Sequence, residues 1–218
     1  MIVAPMWVLV ISPREAVGLL LPLLIIGDIA TLAFYRTEWD WRNVLSLFPG
    51  SVIGIFIGMQ LMGMLPDAEF KFVIGILALV FGIGQGIRQW LVTEAVRGKP
   101  LAGFIAGIGT GTISALAHLG GLITTLYLLP QQMTNRAFVA TSTVIFFLIN
   151  MTKVGPYISN DLITMASLER DLTFIPAVIV GALVGVVVNK RIPQKQFAWF
   201  VLFFVVATGV KLVWGYFA

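Results

Sequence analysis

Three ionisable side chains, Asp28, His118 and Lys153, lie inside segments that are otherwise apolar. In hydrocarbon such groups are costly and usually face the interior of a helix bundle, so each is a candidate functional residue. Lys153 either attracts an anionic substrate or extends to the interface with its charge in water. Asp28 is either a proton-coupling carboxylate or a structural partner of Lys153 or of a backbone amide. His118 either titrates or binds an anion, or has a purely structural role.

Neutral polar residues and glycines accompany these groups. Asn150 precedes Lys153 by three residues and shares a helix face with it, so its amide either contacts a substrate or only joins two helices. Gly120 and Gly121 allow the chain to unwind, and the free amides of a half-helix that begins there favour an anion. Hydroxyl residues either donate to an oxyanion or bond to their own backbone; they are Thr110, Thr112, Ser114, Thr141 and Thr143.

The predicted substrate site combines the glycine-rich segment with the helix that carries Lys153, and its expected partner is a small anion. We expect it to contain Thr110, Ser114, His118, Gly120, Gly121, Thr141, Asn150 and Lys153, with Asp28 as the coupling residue. The chain has no cysteine and one histidine without clustered carboxylates, so no metal site is expected. It has neither a Gly-Lys-Ser/Thr sequence nor a nucleophile–base pair, so we expect no cofactor and no enzymatic activity.

The composition is typical of an integral membrane protein. Of the 218 residues 59% are hydrophobic and 11% are charged, and the mean hydropathy is +0.98. Soluble domains contain about 25% charged residues. The net charge of +4 comes from basic residues between apolar segments, which indicates orientation in a bilayer and no nucleic-acid partner. We therefore expect a multi-pass protein of the cytoplasmic membrane; the composition leaves a homo-oligomer open.

The predicted fold is all α-helical, with six full spans and one broken element. The spans are Glu15 to Tyr35, Val44 to Leu65, Phe70 to Val92, Ala137 to Ile158, Leu172 to Val188 and Phe197 to Phe217. The segment from Leu101 to Leu129 has no charged residue, exceeds the roughly 20 residues of one span, and is interrupted by glycines. This pattern predicts a broken or re-entrant element. The four-residue spacing of Gly50, Gly54 and Gly58 predicts close helix packing.

The chain contains an internal repeat. An offset of 127 pairs Pro49, Gly54, Gly58, Pro66, Phe70 and Gly82 with Pro176, Gly181, Gly185, Pro193, Phe197 and Gly209. An offset of 122 pairs Arg14 with Arg136 and Asp28 with Asn150. We therefore predict two membrane repeats, 1–97 and 98–218, as in many secondary transporters. The first repeat has no counterpart of roughly Leu101 to Leu122, which favours a chain start downstream of the true start.

The distribution of basic residues favours a re-entrant segment. If Leu101 to Leu129 crosses once, the loop Lys and Arg divide six against six, without a positive-inside signal. If the segment returns to its starting side, nine basic residues lie on one side of the membrane and three on the other; the three are Arg14, Lys71 and Arg170. The nine would be Arg36, Arg42, Arg88, Arg97, Lys99, Arg136, Lys190, Arg191 and Lys195, on the cytoplasmic side. The two repeats are then inverted relative to each other.

Several motifs in the second repeat resemble the TauE/SafE family of sulfite exporter-like transporters. They are Gly120 and Gly121, the turn Leu126 to Pro130, and a helix with Arg136, Ala140, Thr141, Phe146, Phe147, Asn150 and Lys153. The first repeat fits less fully, through Val3 to Met6, Glu15, Ala16, Val17 and a Trp after the first loop. Leu122 replaces the family's usual proline after Gly-Gly, and His118 stands where small residues are usual.

The resemblance implies export or uptake of small sulfur-containing anions, such as sulfite or organosulfonates. We therefore expect a secondary transporter of such an anion. The alternatives are a passive anion channel, a transporter of the same fold with a non-sulfur substrate, a membrane enzyme, and a subunit that anchors a partner.

Overall fold

The computed structural model describes residues 6–35, 38–88, 98–131, 133–191 and 194–217, and within them the chain is helical and has no strand. The α-helices are α1 (Pro13–Phe34), α2 (Trp41–Met64), α3 (Asp67–Arg88), α4 (Pro100–Ala117), α5 (Gly121–Leu128), α6 (Asn135–Ser159), α7 (Met165–Arg191) and α8 (Gln194–Phe217). A short 3-10 helix, Leu129–Gln131, follows α5. The prediction of an all-α fold is confirmed. Residues 1–5, Arg36, 89–92, Arg97 and Pro193, which entered the predictions above, lie outside the described residues.

Four of the described helices contain a stretch long and apolar enough to cross a membrane. The stretches are Pro13–Ala33, Trp41–Met64, Pro100–Ala117 and Arg136–Ser159, and α8 carries a shorter apolar stretch, Leu202–Phe217. The chain is thus an integral membrane protein, and its six-span arrangement stays a prediction.

One helix begins earlier than the hydropathy pattern predicts. The sequence predicts a polar connection up to Arg170 and a span from Leu172, but α7 begins at Met165. Its start is fixed by reciprocal bonds: Ser167 N donates to Thr164 Oγ1 at 3.2 Å, and Thr164 N donates to Ser167 Oγ at 2.9 Å. Hydropathy misses about two turns here, because the capped start of this helix is polar.

Ion pairs mark two ends of the helix bundle. At one end, called the Arg14 end, Arg14 pairs with Asp67 and Arg170 pairs with Glu15. At the other, the Arg42 end, Arg42 Nη2 donates to the carbonyl of Gly98 at 2.9 Å. Arg136 pairs with Glu38 at 3.0 Å, also at the Arg42 end. Helix α1 therefore begins at the Arg14 end, whereas α6 begins at the Arg42 end, and the two run antiparallel.

The predicted break in the glycine-rich segment is present, and its second arm folds back along the first. Thr110 Oγ1 of α4 lies 3.2 Å from Thr124 Oγ1 of α5. Tyr127 OH donates to the carbonyl of Lys99 at 3.4 Å, and the side chain of Gln131 lies against Gly98. The hairpin of α4 and α5 thus returns to the Arg42 end. This geometry agrees with the re-entrant alternative, in which Arg136 shares a side with Arg42.

Helices α2 and α4 run parallel in direct backbone contact. A Cβ atom on Gly54 would collide with the carbonyl oxygen of Ile108, and one on Gly111 would collide with that of Ser51. Thr112 Oγ1 also donates across this contact to Gly54 O at 3.1 Å. The close packing predicted from Gly50, Gly54 and Gly58 is confirmed. The contact fixes α4 relative to α2.

Helix starts in the two halves follow the offsets found in the sequence. Helices α1 and α6 begin 122 residues apart, after N-caps Ser12 and Thr134, and each cap accepts one amide hydrogen bond at 3.2 Å. Helices α3 and α8 begin 127 residues apart. They run antiparallel, because Phe72 near the start of α3 stacks on Tyr216 near the end of α8.

Two contacts between the halves are also related to each other by the offset of 127. Gly82 lies against Val206, and Gly209 lies against Leu79, so an offset of 127 converts one contact into the other. Such reciprocal contacts are expected where two similar units meet around a local two-fold axis.

We expect Gly54→Ala to lower the free energy of unfolding by about 1–3 kcal/mol, because the new methyl group overlaps backbone atoms that cannot move independently. Thermal unfolding of the purified protein in detergent measures the change. Gly63→Ala is the matched control: it lies on the same helix, with no atom within 4 Å of the added Cβ. Because alanine is a better helix former than glycine, this control should unfold at an unchanged or slightly higher temperature. Equal unfolding temperatures for the two variants would contradict the backbone contact.

Candidate functional site

Lys153 is buried in the interior of the bundle. Its side chain, on α6, has 0% relative exposure. Its Nζ donates to Ser114 O at 3.3 Å, to Ser114 Oγ at 3.1 Å and to His118 Nδ1 at 2.9 Å. All three acceptors are uncharged. The alternative that Lys153 extends to the interface is therefore wrong.

His118 occupies the break between α4 and α5. It caps the C-terminus of α4 with φ 53°, a left-handed conformation that is uncommon for residues other than glycine. Its Nε2 lies 2.9 Å from the carbonyl of Val17 on α1, and its Nδ1 faces Lys153. Because a carbonyl accepts only, Nε2 carries a hydrogen and Nδ1 accepts from Nζ. His118 thus links α4, α1 and α6.

Gly120 and Gly121 do not unwind the helix in the way that the sequence predicts. None of the described glycines has a positive φ, so the helix is broken at His118 and not by unwinding at Gly120 or Gly121. Gly120 instead permits close approach, since a Cβ there would lie 2.6 Å from the carbonyl oxygen of Thr110. Gly121 begins α5, whose first amides are free of intrahelical partners.

Asp28 and Asn150 form a second polar pair between α1 and α6. Asn150 Nδ2 donates to Asp28 Oδ2 at 2.8 Å, and Asn150 is buried. These two residues are mates at the offset of 122 in the sequence. Asn150 and Lys153 are on the same face of α6. The charge of Asp28 is near enough to act on the amino group of Lys153. The cluster therefore combines one acid with one buried cation.

The hydroxyl residues divide into two groups. Thr110 and Ser114 are buried in the hairpin beside the cluster, where Thr110 bonds to Thr124. Thr141 instead accepts from Asp40 N at 2.9 Å, at the Arg42 end. It precedes Lys153 by twelve residues, which is about 18 Å along a helix. The prediction that Thr141 belongs to the same pocket is wrong, because helix rise separates them.

Two buried side chains of the cluster were absent from the sequence prediction. Tyr157 lies one turn after Lys153; its OH donates to Ala115 O at 2.7 Å, and its ring centroid is 5.8 Å from Nζ. The spacing of four residues between Lys153 and Tyr157 is the sequence signal that could have identified Tyr157. Thr124 was hidden because its partner, Thr110, is reached only after the hairpin folds back.

A cavity of about 320 Å³ lies at the Arg14 end near this cluster. It is lined by Ser12, Arg14, Glu15, Asn160, Asp161, Leu162, Thr164, Ser167 and Arg170. Glu15 lies within a turn of Val17, which holds His118, and the backbone of Leu162 covers Gly18 on the same helix. The cavity thus lies on the Arg14 side of the cluster, next to the turn of α1 that contacts His118.

The arrangement suits an anion better than a metal ion. A buried charge is costly unless an opposite charge or strong hydrogen bonds compensate it, and Lys153 has uncharged acceptors. Within the described residues, no three His, Cys, Asp or Glu side chains are grouped as metal ligands. The cluster offers a cation, hydroxyl donors and the free amides of a helix start.

We expect Asn150→Asp to destabilise the protein by about 2 kcal/mol, because two carboxylates would face each other where an amide now donates. The double variant Asp28→Asn with Asn150→Asp restores one donor and one acceptor with their positions exchanged. It should recover most of the lost unfolding temperature in a detergent melting experiment. Additive losses in the double variant would show that the two side chains do not interact.

Comparison with known proteins gives one match. The family profile described as Sulfite exporter TauE/SafE matches residues 1–212. No curated protein and no solved structure matches the chain. The match covers both halves, including α1, α4, α5 and α6, which supply the buried cluster. The chain therefore belongs to the TauE/SafE sulfite exporter family of membrane transport proteins.

Proposed function

We propose that this protein is a secondary transporter that moves a small sulfur-containing anion, such as sulfite or an organosulfonate, across the cytoplasmic membrane. The anion would bind at Lys153, between the α4–α5 hairpin and α6. Family membership supports the substrate class. The buried cluster supports the position of the site.

The observation that carries this proposal is that every group to which Lys153 donates a hydrogen bond is uncharged. Ser114 and His118 stabilise the ammonium group by hydrogen bonds, but neither cancels its charge. The carboxylate of Asp28 accepts from Asn150. An oxyanion that enters the site would replace hydrogen bonds to neutral acceptors with a hydrogen-bonded ion pair in which both partners are charged.

Inverted repeats would supply the movement. We infer that the halves 1–97 and 98–218 are duplicated and inverted, on the basis of three observations. Paired helix starts lie at the offsets of the sequence repeat, α1 runs antiparallel to its mate α6 as α3 does to α8, and reciprocal contacts join the last two. In transporters of this kind one half rocks against the other around a central site. Asp28 and Asn150, which are mates, meet at the expected position of such an axis.

We expect single cysteines at Gly98 and Asn135 to react from the same face of the membrane, because α4 and α5 form a hairpin that returns to the Arg42 end. A cysteine at the exposed Ser159, at the other end of α6, should react from the opposite face. The chain has no native cysteine, so a membrane-impermeant maleimide applied to cells and to inverted vesicles gives the answer. Opposite faces for Gly98 and Asn135 would eliminate the re-entrant arrangement.

Transport itself is tested with the purified protein in liposomes. We expect saturable uptake of sulfite, and we expect Lys153→Met to reduce it about tenfold or more, equivalent to at least about 1.4 kcal/mol of lost binding. Methionine keeps most of the volume but removes the charge.

Lys211→Met, an exposed lysine on α8, is the matched control and should transport normally. Because Lys153→Met could fold poorly, Ser114→Ala is measured in parallel; it removes one small hydroxyl from the site and should raise the half-saturating concentration several-fold. Flux that rises linearly with concentration, without saturation, would instead indicate a channel. Normal flux in both site variants would overturn the proposed site.

A further inference from the structure

The contact between Lys153 and His118 joins two basic nitrogens. Nζ of Lys153 and Nδ1 of His118 are 2.9 Å apart; Lys153 is fully buried and His118 is partly buried. A hydrogen bond between two bases needs one hydrogen and one lone pair, so one of the two nitrogens is unprotonated at the contact. Lysine is the stronger base, and it therefore holds the proton.

Every other hydrogen-bonding position on Nζ of Lys153 and on the ring of His118 already has a partner. The remaining hydrogens of Nζ are directed at Ser114 O and Ser114 Oγ, and the hydrogen on Nε2 of His118 is directed at Val17 O. With Lys153 as an ammonium group, the pair therefore holds a single positive charge. A second proton has one place to go, Nδ1 of His118, and it would break the hydrogen bond to Lys153.

The surrounding groups do not stabilise a second charge in this arrangement. From α1, Asp28 faces the cluster, but its carboxylate accepts from Asn150. From α6, Tyr157 presents its ring to both His118 and Lys153, and its hydroxyl donates to Ala115 O. From α4, Ser114 is uncharged. Within the described residues, then, two cations about 3 Å apart would repel each other without a direct counter-ion.

We propose that His118 takes up one proton when the substrate anion binds, so that the Lys153–His118 pair couples anion transport to protons. This inference rests on the proposed function, since it needs an anion at Lys153. The proton balance is simple. Without substrate, the pair carries one positive charge; with a monoanion and one proton from water, two cations face one anion, and the net charge of the site is again one positive.

This mechanism defines the transported species. Anion and proton enter the site together and leave it together, because each stabilises the other. A monoanion then moves with one proton as an electroneutral pair. Asp28, which the sequence predicts as the coupling residue, would orient Asn150 and act on the cluster through its charge, without itself taking up the proton.

The chain offers a direct test, because His118 is its single histidine. Protein labelled with ¹⁵N-histidine, and purified with a tag that contains no histidine, gives NMR signals from this imidazole alone. Without anion, the ring should show the neutral form with Nδ1 unprotonated. With saturating methanesulfonate, which does not titrate near neutral pH, both nitrogens should become protonated.

Calorimetry of methanesulfonate binding, in buffers that differ in ionisation enthalpy, counts the protons. The expected value is about one proton taken up per anion for the wild type and about zero for His118→Gln, which preserves a polar side chain without a titratable nitrogen. Asp28→Asn should still take up about one proton, even if its affinity changes. Lys211→Met, at an exposed position, should match the wild type.

The outcomes separate the two proposals. If neither methanesulfonate nor sulfite binds, the proposed function is overturned and this inference with it. If methanesulfonate binds while the imidazole stays neutral, the coupling is overturned and the anion site stands. If Asp28→Asn abolishes proton uptake while His118→Gln retains it, Asp28 is the proton site and the assignment to His118 is wrong. The wild-type NMR result decides even if a variant fails to fold.

Discussion

The arrangement of the interior depends on keeping one ammonium group out of water. Lys153 lies in the bundle with its three hydrogens directed at Ser114 and His118, which are held by the C-terminal turn of α4. Burying a charge costs several kcal/mol unless its hydrogen bonds are complete, so these acceptors must be placed accurately. His118 adopts a left-handed conformation that is uncommon for residues other than glycine, and its ring bridges α1 and α6.

Backbone contacts between helices place these acceptors of Lys153 accurately. Helices α2 and α4 meet at glycines, so α4 cannot slide without collisions between Gly54 and Ile108 or between Gly111 and Ser51. The hairpin that follows is held against α4 by Thr110, Thr124 and the close approach of Gly120. A rigid pair of helices thus carries the acceptors, while α6 carries the cation. Movement between these two units would change the environment of Lys153, as the proposed transport mechanism requires.

Sequence reasoning predicted the features that depend on composition and spacing. Apolar length predicts the helices, the four-residue glycine spacing predicts the contact of α2 with α4, and rarity in apolar segments identifies Lys153, Asp28 and His118. It grouped Thr141 with Lys153 by residue type, although their spacing of twelve residues already implies about 18 Å of helix rise. The contact of Thr141 with Asp40 N was not predictable, because it depends on how the helices pack. Sequence reasoning also attributed the break to Gly120 and Gly121, because the left-handed turn at His118 is imposed by tertiary contacts rather than by local preference.

Asp28 and Asn150 are mates at the offset of 122 in the sequence, and Nδ2 of Asn150 lies 2.8 Å from Oδ2 of Asp28. In the proposed arrangement of two inverted halves, such mates face each other near the axis. Two aspartates there would both be acceptors and would repel each other, and two asparagines would leave Lys153 without a nearby acid. One acid and one amide satisfy both constraints.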